Sequence, residues 1–85
     1  RPADADLLQA LARLCMRERL WGKAREYYKA SLSIKPTVSA FGELGRMLKQ
    51  LGEIEASESC LRRYDEMIGG QLLNLPMPER GRQAD

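Results

Sequence analysis

The sequence predicts an all-α fold: two antiparallel helix-turn-helix hairpins whose four helices form one array. Three observations carry this reading. Apolar residues recur at spacings of three and four, the signature of a helix with one buried face. Only Pro2 and Pro36 precede residue 76, and Ala, Leu, Arg, Glu and Met dominate over β-branched residues, so the composition favours helix over strand. The first half of the chain also lies on the second with a step of 33 residues, Leu8-Leu11-Ala12 meeting Phe41-Leu44-Gly45.

The first helix should run from about Ala5 to Glu18. Its inner face reads Leu7, Leu8, Leu11, Ala12, Leu14 and Cys15, and Asp4 and Asp6 bring negative charge to its N-terminus, where the helix dipole favours it. A second begins near Gly22, with Ala24, Tyr27, Tyr28, Ser31 and Leu32 inside. It must stop by Lys35, because the ring of Pro36 disfavours helical geometry in the residue before it. Trp21 is expected in the intervening turn, packed on the edge of its own hairpin. Thr37 suits the N-cap of the third helix, whose inner face is Phe41, Leu44, Gly45, Leu48 and Leu51, with Gly52 as a left-handed stop. The fourth helix carries Ile54, Ser57, Leu61, Tyr64 and Ile68 until Gly69-Gly70 ends it. Connections this short make consecutive helices antiparallel neighbours. The repeats therefore occupy residues 5–36 and 38–70. A tail follows from 71 to 85; it is expected to be partly flexible, its apolar start folding back to cap the last helix.

The same step sets Arg19 opposite Gly52, Ala24 opposite Ser57, Tyr28 opposite Leu61 and Ser31 opposite Tyr64. Small residues at Ala12, Gly45 and Ala24 let two helices approach closely, and large neighbours fill the remaining groove. Only the Ser31–Tyr64 match breaks the size rule, which is expected if the second hairpin ends its array.

This pattern of Leu8, Leu11-Ala12, Ala24, Tyr28, Ser31 and Pro36 resembles the tetratricopeptide repeat (TPR), and the second copy keeps Phe41, Leu44-Gly45 and Gly52. A narrower likeness runs through Leu14-Cys15-Met16-Arg17, Leu20-Trp21-Gly22-Lys23-Ala24-Arg25, Ala30-Ser31-Leu32 and Pro36-Thr37. These residues are similar to the C-terminal repeats of the HemY family, inner-membrane proteins of proteobacteria encoded with haem-biosynthesis genes. The resemblance implies a superhelical α-α array, a scaffold role in haem or porphyrin handling, and a parent protein anchored in the bacterial inner membrane. It brings no catalytic residue with it.

Composition narrows the function classes. Fourteen basic and twelve acidic residues leave a net charge of +2, interleaved along the chain, well short of a nucleic-acid signature. No apolar run approaches the roughly 18 residues of a membrane span. With no histidine and no glycine-rich phosphate loop, neither a metal centre, a cofactor nor catalysis is expected. Glu53, Glu55 and Glu58 read as favourable charge at a helix N-terminus. Cys15 and Cys60 read as buried free thiols, and Cys15-Met16 as packing and not as haem ligands.

The remaining candidate is a partner-binding groove. In arrays of this kind the first helix of each hairpin lines a concave face. The resemblance places its lining on Asp6, Gln9, Arg13, Met16 and Arg17, then Ser39, Gly42, Arg46, Lys49 and Gln50. Four of the ten are basic and one is acidic, which suits a protein or peptide partner carrying carboxylates. The other reading is a helical-repeat nucleic-acid module with Arg13, Arg17, Arg46, Lys49, Arg62 and Arg63 on phosphates. Self-association through the open ends is a further expectation, since two repeats bury little.

Overall fold

A computed structural model of the chain describes residues 4–73. Four helices make it up: α1 (Ala5–Arg17), α2 (Trp21–Ile34), α3 (Val38–Gln50) and α4 (Ile54–Leu73), with no strand among the described residues. α1 packs along α2 and α3 along α4, and α2 against α3 joins the two hairpins. The all-α double hairpin is thus as the sequence predicts. Of the expected tail, residues 71–73 continue α4, and the capping suggested for the rest lies outside the described residues.

The repeat is visible in the backbone hydrogen bonds. Asp4 caps α1, its Oδ1 accepting from the Asp6 and Leu7 amides at 2.9 and 3.3 Å. One step later Thr37 caps α3, its Oγ1 accepting from the Ala40 amide at 3.1 Å. α1 ends with Arg19 N–H donating to Met16 C=O and Leu20 N–H to Cys15 C=O, at 3.0 and 2.8 Å. α3 ends with the matching pair, Gly52 to Lys49 and Glu53 to Leu48, at 3.1 and 2.9 Å. Each is a left-handed stop that satisfies the last free carbonyls. Arg19 and Gly52 have φ of 61° and 84°, so the step that aligns them in sequence aligns them in conformation. Glycine adopts this geometry freely, whereas the Arg19 side chain crowds its own backbone.

Small residues set how closely the helices approach. Ala12 and Ala24 are fully buried in the first hairpin. In the second, Ser57 Oγ donates to the Gly45 carbonyl at 2.8 Å, and a Cβ on Gly45 would meet Leu61 Cδ2 at 2.7 Å. Tyr64 explains itself here. Its ring lies over Gly42, 3.0 Å from where a Cβ would stand. The first hairpin has Gln9 and Ser31 at these two positions, the second Gly42 and Tyr64. Volume lost on one helix is regained on its partner, so the mismatch is compensated within the hairpin.

Several expectations need correcting. Leu7 and Leu14 are not core residues; they are 56% and 45% exposed, because α2 covers only the Leu8–Ala12–Cys15 side of α1. Ile54, at the opening of α4, is likewise half exposed. Gly69-Gly70 does not stop α4, which continues to Leu73, since glycine lowers helix propensity without blocking a backbone hydrogen bond as proline does. Trp21 is the first residue of α2, half-buried against the core, and not part of a turn.

Candidate functional site

Met47 and Tyr28 are fully buried where α1, α2 and α3 converge. Beside them opens a groove of about 490 Å3, lined by Arg13, Met16, Arg17, Tyr28, Glu43, Arg46, Met47 and Gln50. Its floor is half-buried Met16, resting on the fully buried Tyr28 and Met47. Exposed Arg13, Arg17, Arg46 and Gln50 make its rim.

Glu43 organises the wall. Arg13 grips it with two nitrogens, Nε at 3.0 and 3.1 Å from the two carboxylate oxygens and Nη2 at 2.7 Å from Oε2. The Tyr28 hydroxyl donates to Oε1 at 2.9 Å and the Ser39 hydroxyl to Oε2 at 3.1 Å. Gln9 Nε2 in turn donates to Ser39 Oγ at 2.7 Å. Tyr28 Oη also lies 3.1 Å from Met16 Sδ, but its one proton belongs with the carboxylate, the stronger acceptor. Residues of α1, α2 and α3 thus meet on a single carboxylate, which ties the two hairpins together.

Partial burial pushes the Glu43 carboxyl up. The surrounding donors, Arg13, Gln9 and Tyr28, outweigh burial and hold it down at about 2. Burial and the bond to Glu43 push the Tyr28 hydroxyl well above its ordinary range, and Glu43 raises Arg13 further. This pair is poised against proton transfer: Glu43 is too weak a base and Tyr28 too weak an acid near neutrality. The arrangement is a structural lock.

Of the ten residues expected to line the groove, Arg13, Met16, Arg17, Arg46 and Gln50 do so. Asp6 lies exposed in the first turn of α1, away from the groove, and Lys49 is exposed outside it. Gln9 is only 7% exposed and serves the Glu43 network, as does Ser39. Gly42 is covered by the Tyr64 ring. Sequence reasoning missed Tyr28, Met47 and above all Glu43. Its counterpart in the first repeat is Ala10, so the repeat gave no sign of it. The available clue was that Arg13 and Arg46 share one repeat position, and a bidentate carboxylate is the common answer to such an arginine.

The rim charges differ in consequence. Arg13 is neutralised by Glu43. Arg17 and Arg46 have no carboxylate within salt-bridge distance among the described residues. On the opposite side Arg25 pairs with Glu53, and Arg63 lies over the Phe41 ring, 5.2 Å from its centre. Cys15 is buried and Cys60 half-buried, both as free thiols, and burial pushes the Cys60 thiol up. Among the described residues no cluster of metal-ligating side chains occurs, and no helix is long and apolar enough to cross a membrane. The chain matches no protein family, no curated protein and no solved structure.

Proposed function

We propose that the chain is a protein-interaction module whose α1–α3 groove holds an extended peptide with a carboxylate beside an apolar anchor. One observation carries this: half-buried Met16, seated on the buried Tyr28 and Met47, stands next to two arginines, Arg17 and Arg46, that lack carboxylate partners among the described residues. The floor would take a Leu, Met or aromatic side chain. The guanidinium groups would take an Asp, a Glu or a chain terminus through charge-assisted hydrogen bonds. The Glu43 lock holds the walls in place before a ligand arrives, which lowers the ordering cost of binding.

No catalytic role is proposed, since the Tyr28–Glu43 pair cannot exchange a proton readily and the chain has no histidine. The likeness of about residues 7–64 to HemY repeats, most specific in Leu20-Trp21-Gly22-Lys23-Ala24, supports a wider setting, a scaffold in a membrane-anchored protein of haem or porphyrin handling. That setting rests on the resemblance alone. The nucleic-acid reading has less support, because Arg13 and Arg63 are engaged with Glu43 and Glu66.

The test is selection of peptides from a random displayed library on the full chain. Ligands carrying Asp, Glu or a free carboxylate one to three residues from an apolar anchor are expected. An Arg17→Ser, Arg46→Ser double variant should lose at least about tenfold in affinity, roughly 1.4 kcal/mol. Ligands without acidic groups, or affinity unchanged in the double variant, would overturn the proposal.

A further inference from the structure

The repeat gives each position on α1 a counterpart on α3, 33 residues along the chain. α1 packs on α2 as α3 packs on α4, but α3 also has α2 at its back. Differences in burial between matched positions therefore map what α2 covers. Leu7 and Leu14 are 56% and 45% exposed, while their counterparts Ala40 and Met47 are 0% exposed. Leu11 is half-buried and its counterpart Leu44 is buried. Exposed Ala10 and Leu20 complete the stripe.

We propose that this stripe on α1 is the seat of one more helix built like α2, supplied by a further hairpin of the same repeat. It is the α2–α3 interface continued by one unit, and it does not depend on the groove reading.

Two differences between the repeats define the chemistry of the occupant. Toward the second hairpin, α2 sends the Tyr28 hydroxyl to Glu43 and the Arg25 guanidinium to Glu53. At the seat, the counterparts of Glu43 and Glu53 are Ala10 and Leu20. A tyrosine there would be buried as Tyr28 is but without an acceptor, and an arginine, about a third exposed in α2, would lose its ion pair, costs that apolar side chains avoid. The occupant is therefore more apolar than α2, with Phe or Leu at the Tyr28 position and an aliphatic residue at the Arg25 position. α4 of a second copy does not meet this description. Its counterparts of Arg25, Lys29 and Leu32 are Glu58, Arg62 and Asp65, all exposed and charged. The α1 edge is built to receive a helix and the α4 edge to face water.

The test inserts a second copy of residues 4–36 between Ala3 and Asp4 of the full chain. Because Asp4 and Thr37 are N-caps at one repeat position, the new Pro36–Asp4 junction mimics Pro36–Thr37. The inserted copy carries Arg25→Leu and Tyr28→Phe, and thermal unfolding is followed by circular dichroism. The expected result is a single transition at least about 8 °C above that of the unextended chain. An insert keeping Arg25 and Tyr28 should gain less than half as much, and Leu7→Glu with Leu14→Glu on the original α1 should abolish the gain. Separate transitions, no rise, or a rise that survives the glutamates would overturn the proposal. So would sedimentation equilibrium showing the unextended chain as a dimer that Leu7→Glu dissociates, for then the seat belongs to a second copy; a monomer agrees with the assignment.

Discussion

Replacing Glu43 by Gln removes the charge from the lock while keeping its shape, and the cost can be worked from the site. The carboxyl falls from an ordinary 4.5 to about 2 in the folded chain. At roughly 1.4 kcal/mol per pH unit this would amount to about 3 kcal/mol if the site were fully shielded. It is not: the Glu43 side chain is 20% exposed and that of Arg13 is 55% exposed. Solvent screening brings the expectation to about 1–2 kcal/mol. The sign follows from linkage. Between pH 4.5 and 2 the unfolded chain binds a proton at this position that the folded chain refuses. The stabilisation is therefore complete above about pH 5 and is lost as pH falls through the folded value near 2. Urea unfolding of wild type and Glu43→Gln, followed by circular dichroism, should differ by about 1–2 kcal/mol at pH 7. That difference should shrink steadily between pH 4.5 and 2. Equal stabilities at pH 7, or a gap that does not close in acid, would refute the role given to Glu43.

Other consequences follow from the same geometry. Arg19→Gly should stabilise the chain by about 0.5–1 kcal/mol, since Arg19 holds a left-handed φ of 61° that glycine adopts without strain; an unchanged melting temperature would contradict this. Gly45→Ala should destabilise by about 1 kcal/mol, because the new methyl would meet Leu61 Cδ2 at 2.7 Å and Cγ at 2.8 Å, and overpacking outweighs the gain in helix propensity. Gly22→Ala, with nothing within 4 Å, should instead stabilise by about 0.5–1 kcal/mol, so the two alanines should move the unfolding midpoint in opposite directions. Tyr64→Ser alone should cost about 2–3 kcal/mol by emptying the space over Gly42, and adding Gly42→Gln, which recreates the Gln9–Ser31 pair, should recover part of that loss in a double-mutant cycle.

The parts of the fold legible in the sequence were those set by local chemistry. Asp4 announces a helix start by its negative charge and Thr37 by its capping side chain, and Pro36 and Gly52 announce ends. The 33-residue step carried further than its residue types alone, since it aligned Arg19 with Gly52 although arginine is an unusual choice for a left-handed stop. What local pattern could not decide was which apolar side of α1 is covered. Leu7 and Leu14 sit at helical spacing with Leu8 and Cys15, and only the path of α2 separates the exposed pair from the buried one. The candidate site was half legible for the same reason. Positions assigned by the resemblance to the tetratricopeptide repeat gave the rim arginines. The Glu43 lock is made of contacts between α1, α2 and α3, 15 to 30 residues apart, with no counterpart in the first repeat to reveal it. Gly42 and Tyr64 show the complementary case, a departure from the pattern that proves to be paired across two helices.

Amide NMR on the full chain, titrated with an acidic, apolar-anchored peptide from the library, shows whether the α1–α3 groove is a peptide-binding surface. Shift changes are expected to concentrate at Met16, Arg17, Arg46 and Gln50, the half-buried and exposed residues of the groove. Changes confined to the outward face of α1 at Leu7 and Leu14, or to α4, would contradict it.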